Sequence, residues 1–141
     1  GRAASKKLMG RFTHPKSGRL QLHQQPNAWH HFNADHAITF CVLPISVDRT
    51  LVRTSWLVHK DAVEGVDYDV DNLIFLWNTT NRQDLAYVEM AQKGTYNPAY
   101  EPGPYSSSEL YVRKFLEWYT RQMKVHASER FEKNSLEREI A

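Results

Sequence analysis

Between Asp67 and Gly94 the apolar residues recur at helical spacing. Val70, Leu73, Trp77, Tyr87, Val88 and Ala91 fall on one seam, because 3.6 residues complete a turn. Thr80, Asn81 and Asp84 fall on the same seam, while Arg82, Glu89 and Lys93 point away from it. The pattern predicts a long helix with its seam turned inward. The β-branched pair Thr79-Thr80 is where a kink or interruption is expected, and Gly94 is the expected C-cap. Asp84 stands out as a carboxylate on an apolar stripe. A buried carboxylate needs a cation, a metal or several hydrogen bonds. From spacing alone it is either one half of an ion pair across the core edge or a metal ligand.

Upstream the period changes to two. Leu20 and Leu22 alternate with polar residues, Pro26-Asn27 marks a turn, and AWHHF follows up to a break at Asn33-Ala34-Asp35. Ala37 to Leu43 is a nearly continuous apolar run, expected of a strand buried on both faces. Pro44 to Arg49 reads as a hairpin connection. Thr50 to His59 returns, with Val52, Thr54, Trp56 and Val58 on one side and Arg53, Ser55 and His59 on the other. Asp61 to Asp69 is an acidic connector containing Gly65. After the first helix, YNPAYEPGPY (residues 96–105) is irregular by its prolines and glycine. Ser106 and Glu109 have capping-box spacing and announce a second helix, with Tyr111, Phe115, Trp118 and Gln122 along one side. That helix is expected to pack on the sheet. Strands followed by helices give an α+β fold, an antiparallel sheet covered by C-terminal helices.

Three segments are expected: a basic arm at residues 1–18, a folded body at 19–125 and a charged tail or frayed helix at 126–141. The arm is basic and has no acidic residue. Lacking interleaved aromatics, it is read as an exposed loop rather than a nucleic-acid platform. Overall the 141 residues carry a net charge of +2, which gives no electrostatic case for nucleic acid. A content of 12% aromatic residues suits one folded core. Cys41 stands alone, so it forms no disulfide within the chain and no four-cysteine cluster. Within ITFCVLP it is expected to be a buried small hydrophobe. No apolar stretch is long enough to span a membrane and no signal pattern opens the chain, so a cytoplasmic location is expected.

Seven histidines, His14, His23, His30, His31, His36, His59 and His126, show no zinc-like spacing. His30 and His31 must face opposite sides of a strand. No phosphate loop or nucleophile elbow is present. Trp29, Trp56, Trp77, Tyr96 and Tyr100 are residue types that cage a quaternary ammonium, and equally the types that fill a core.

Five stretches in order carry a resemblance: NAWHHFNADHAITFCVLPISVDRT, SWLVHKDAVEGVDYD, TNRQDLAYVEMAQKG, YEPGPYSSSE and FLEWY. From about Leu20 to Met123 the chain resembles the C-terminal part of the catalytic domain of Rieske-type oxygenase large (alpha) subunits. These are the ring-hydroxylating dioxygenases and their demethylating relatives. The likeness is greatest to members that act on glycine betaine and similar quaternary amines.

The resemblance implies a helix-grip, START-like domain and a mononuclear non-haem Fe(II) held by two histidines and one carboxylate. By motif, the carboxylate is Asp84, the catalytic and metal-binding residue. Trp77, Asn81 and Val88 are then expected around the substrate. The two iron-binding histidines lie, in the family, in a stretch with no counterpart in this sequence. The [2Fe-2S] Rieske cluster belongs to an earlier domain, needing two Cys and two His. The resemblance further implies NAD(P)H acting through a separate reductase, O2 and a small-molecule substrate, a homotrimer, and neither nucleic acid nor membrane as partner. The expectation is a truncated or split oxygenase, inactive alone. The competing reading is a non-catalytic ligand-binding or assembly module, or an inactive remnant, of the same fold.

Overall fold

The structure, a computed structural model, describes residues 3–140, with side chains as far as residue 130. It contains two compact units, residues 1–100 and 101–141.

The first unit is a four-stranded antiparallel meander followed by a helix. The strands are β1 (Arg19–Gln24), β2 (Ala28–Asn33), β3 (Ala37–Ser46) and β4 (Arg49–Leu57), side by side in chain order. Residues directly opposite in an antiparallel pair share a face. One face therefore carries the rows Gln21, His31, Ile38, Trp56 and His23, Trp29, Phe40, Thr54. The other carries Leu20, Phe32, Ala37, Leu57 and Leu22, His30, Thr39, Ser55.

The strands lie where alternation places them, with two corrections. β3 runs through Pro44 to Ser46, so the hairpin turn shrinks to Val47-Asp48. Pro44 is tolerated because β2 pairs with β3 only as far as Cys41. The Val42 N–H still reaches Asn27 O, at 2.8 Å. Two residues on, the proline nitrogen faces the same way, where no strand needs its missing N–H. The second correction concerns burial. Ala37, Ile38 and Phe40 are buried, but Cys41 and Leu43 are exposed, so the strand is covered on both faces only in its first half. Cys41 is not the core residue its surroundings suggested. It shares its face with Leu20, Leu22, Phe32 and Leu51, all of them exposed.

The connector after β4 turns at Gly65, whose φ of 77° suits a residue without Cβ. Helix α1 (Val70–Thr95) follows. Asp69 is its N-cap, accepting the Asn72 N–H at 2.9 Å. The helix passes Thr79-Thr80 without a break and ends one residue beyond Gly94, with Tyr96 as C-cap.

The basic arm is not a free loop. Ala4 N–H donates to Asp35 Oδ2 at 2.6 Å, Lys6 N–H to Asp67 O at 2.8 Å, and Met9 N–H to Ala34 O at 2.7 Å. Ser5 bridges Tyr68 and is fully buried. Lys7 pairs with Asp67 at 3.0 Å. The arm is thus a strap that ties the β2–β3 turn to the start of α1. Its partners lie about 30 and 60 residues away, which local composition cannot reveal.

In the second unit α2 (Leu110–Ile140) is preceded by half of the expected capping box: Ser106 N–H donates to Glu109 Oε2 at 2.5 Å. The helix begins after Glu109 rather than at Ser106. It continues from His126 to Ile140, so this stretch is helical rather than a tail, with Ala141 outside the described residues. Phe115 stacks on Tyr119, ring centroids 6.0 Å apart, and tilts against Trp118 at the same distance.

Candidate functional site

The helix carrying Asp84 is held against the sheet at its N-terminal half. Leu73 is buried, and the Trp77 ring lies 4.7 Å from His31 and 5.1 Å, edge-on, from Phe40. Phe40 in turn stacks on Trp29 at 4.9 Å. One turn beyond Trp77, Asn81 Nδ2 donates to Thr54 Oγ1 at 3.2 Å. From Arg82 onward every residue of α1 is exposed.

Asp84 is among them, which corrects the inward-facing seam: Tyr87, Val88 and Ala91, predicted on the same stripe, are exposed as well. The helical period does form a helix, but no described residue buries this half of it. Among the described residues the Asp84 carboxylate makes no hydrogen bond and no ion pair. The ion-pair explanation for this carboxylate therefore has no support in the fold. Its oxygens remain available to a ligand.

The other expected site residues are dispersed. Trp77 borders a hollow of about 460 Å³ with His31, Asp35, His36 and the strap. Val88 borders a groove of about 520 Å³ between the β3–β4 turn and the last turns of α1, together with Leu85, Arg49 and Tyr96. Asn81 lies between, committed to Thr54. Of the aromatic set, Trp29 and Trp77 meet through Phe40, whereas Tyr96 and Tyr100 are exposed elsewhere.

Sequence reasoning passed over a second polar cluster, at the β2–β3 turn. Asp35 is buried. Burial pushes its carboxyl up, but the Ala4 N–H and the adjacent His36 outweigh that and hold it below the ordinary range. His36 Nδ1 lies 3.1 Å from Asp35 Oδ1, near enough for charge attraction though off the line of a straight hydrogen bond. The Asn33 amide, 3.2 Å away, contacts its other ring nitrogen. His31, also buried, is held below the usual imidazole value by burial first, then by Arg19 and His23. Its Nδ1 meets the Gln21 amide at 2.9 Å. Asn33-Ala34-Asp35-His36 looks like a plain turn in the sequence, and only the strap makes it a core.

As a metal centre the donor set is partial. Among the described residues no three His, Cys, Asp or Glu side chains gather closely enough to share an ion. One unpaired carboxylate on a helix fits one ligand of an iron held by two histidines and a carboxylate, and no more than one.

The model of the ring-hydroxylating alpha-subunit catalytic domain matches residues 1–125. The chain belongs to that family. It is 51% identical over 124 residues to the glycine betaine monooxygenase oxygenase subunits of two Pseudomonas aeruginosa strains, covering 87% of this chain and 29% of theirs. It is 48% identical to the subunit of the same name from Chromohalobacter salexigens, over 87% of this chain and 28% of that one. The chain thus spans less than a third of the length of these relatives. The resemblance drawn from the five motifs holds at the level of the family, and the match reaches into the strap, which those motifs did not include. The α+β architecture agrees with it. No helix among the described residues is long and apolar enough to cross a membrane.

Proposed function

We propose that this chain is the C-terminal portion of the catalytic domain of a Rieske-type iron oxygenase that demethylates a small quaternary amine such as glycine betaine. The observation that carries the proposal is the 51% identity to subunits so named, joined to the unpaired carboxylate of Asp84. In this reading Asp84 holds a mononuclear Fe(II), and two histidines outside this chain complete the set. The iron would supply O2 activation, with electrons delivered from NAD(P)H by a separate reductase through a [2Fe-2S] cluster. The Asp84 carboxylate would lower the net charge of that centre as one of its three protein ligands. The exposed apolar residues of α1 beyond Asn81 gain their cover from the rest of the subunit, in a homotrimer. Aromatic faces such as Trp77 favour a cation over a neutral isostere.

The test uses the full-length polypeptide that carries this chain, with a reductase and NADH. Formaldehyde release from glycine betaine, with stoichiometric O2 uptake, is expected. The partial donor set favours one competing reading, a non-catalytic binding or assembly module of the same fold. A preparation exposed to Fe(II), reductase and NADH that takes up no iron and binds ligands without consuming O2 would establish that reading instead.

A further inference from the structure

We infer that the hydrogen bond from Asn81 to Thr54 positions the Asp84 carboxylate, so that Asn81 serves the sheet rather than the substrate. The inference rests on the reading of Asp84 as the iron-binding carboxylate.

Thr54 stands directly opposite Phe40 in the register of β3 and β4. Phe40 carries the edge of the Trp77 ring. Two successive turns of α1, at Trp77 and Asn81, therefore stand on a single cross-strand pair. The two contacts differ in kind. Ring packing holds the helix down mainly through apolar burial, which is non-directional and tolerates a few degrees of roll about the helix axis. A hydrogen bond weakens steeply when its angle departs from linear, so it resists roll. Asp84 follows Asn81 by three residues, about 4.5 Å along the axis. Every helical residue from Arg82 to Thr95 is exposed. Asn81 is thus the last half-buried residue of α1 before Asp84, and the roll fixed there passes along the rigid backbone to the carboxylate.

Magnitudes support this assignment. An atom at the helix surface lies about 6 Å from the axis, so a roll of about 10° moves it by about 1 Å. Metal–ligand distances tolerate only about 0.2 Å. A residue that fixes helix roll therefore matters to metal affinity without touching the metal. Groups that support ligands from behind typically account for about 10- to 100-fold in affinity.

The experiment measures Fe(II) affinity and the visible spectrum of the cobalt(II)-substituted protein, in the full-length polypeptide carrying this chain. Asn81→Ala and Thr54→Val, the second keeping the side-chain shape, should each weaken iron binding about 10-fold and shift the cobalt bands. The double variant should be no weaker than either single one. Thr54→Ser, which keeps the hydroxyl, should bind within about twofold of the parent. Circular dichroism confirms folding of each variant. Asn81→Ala and Thr54→Val binding as the parent does, with unchanged cobalt spectra, overturns the positioning role. Asp84→Ala in the same series separates the two levels. Affinity lost in Asp84→Ala but kept in Asn81→Ala overturns the positioning alone. Affinity kept in Asp84→Ala overturns the ligand reading beneath it.

Discussion

The two halves of α1 are one continuous helix with two different surroundings. From Val70 to Asn81 it is capped by Asp69, seated through Leu73 and Trp77 and fastened by Asn81. From Arg82 to Thr95 it is exposed, although Leu85, Tyr87, Val88 and Met90 are all large and apolar. Such a density of exposed apolar side chains marks a surface built to be covered. The first half is stabilised by contacts within this chain. The second half has no such contacts among the described residues, and its cover belongs to the proposed full-length subunit. Asp84 sits just past the boundary, rigidly attached to the first half and available to whatever meets the second.

The difference is measurable. Trp77→Ala in the 141-residue chain should cost about 3 kcal/mol, the lower end for an aromatic truncation, since the ring is only half-buried. Urea titration followed by circular dichroism checks this. Asp35→Ala should cost about 2 kcal/mol, because it leaves the Ala4 N–H without an acceptor and His36 without its neighbour. Amide exchange should then quicken in the strap and the first turn of α1, and not in its last turns. Exchange quickening evenly along α1 would erase the proposed boundary.

Acid should act on the same end of the molecule. Asp35 titrates below its ordinary value in the folded chain, so the unfolded chain binds more protons as pH falls. Its contribution is present above the unfolded pKa of about 3.9 and is lost as pH drops through the folded one. His31 has the same sign, because its folded pKa is also lowered. Its loss sets in below about pH 6.5, where the unfolded imidazole begins to protonate. Stability should therefore fall in two stages, the first near pH 6 and abolished by His31→Gln. Fluorescence-monitored unfolding midpoints across pH resolve the stages.

A smaller effect, about 1 kcal/mol, is expected for Asp69→Ala, read from faster exchange at Asn72. Smallest of all, Tyr87→Ala and Val88→Ala should change the stability of the 141-residue chain by less than about 0.5 kcal/mol. In the full-length polypeptide the same two changes should cost clearly more, since the proposed cover is then present. Equal costs in both settings would mean that this half of α1 stays uncovered.

The sequence made the regular elements legible because each is written in a local period. Leu20 to Leu22 and Val52 to Trp56 alternate as strands do, and Leu73 to Trp77 steps as a helix does. Asp84 stood out twice, by its place on the seam and by its motif, but the seam it was placed on is exposed there. Burial was less legible, since period reports a face and not its cover. Cys41 and Val88 lie on apolar faces, and both are exposed. The strap was not legible at all. Its bonds from Ala4 to Asp35 and from Lys6 to Asp67 span 31 and 61 residues, and nothing near either end signals the other.

The central claim is that the carboxylate just beyond the fastened half of α1 grips a metal. The most direct test is the iron content of the full-length polypeptide after anaerobic loading with Fe(II), parent against Asp84→Ala. The account predicts close to one iron per chain in the parent and a small fraction of that in the variant, with circular dichroism unchanged. Full iron retention in the variant would contradict it.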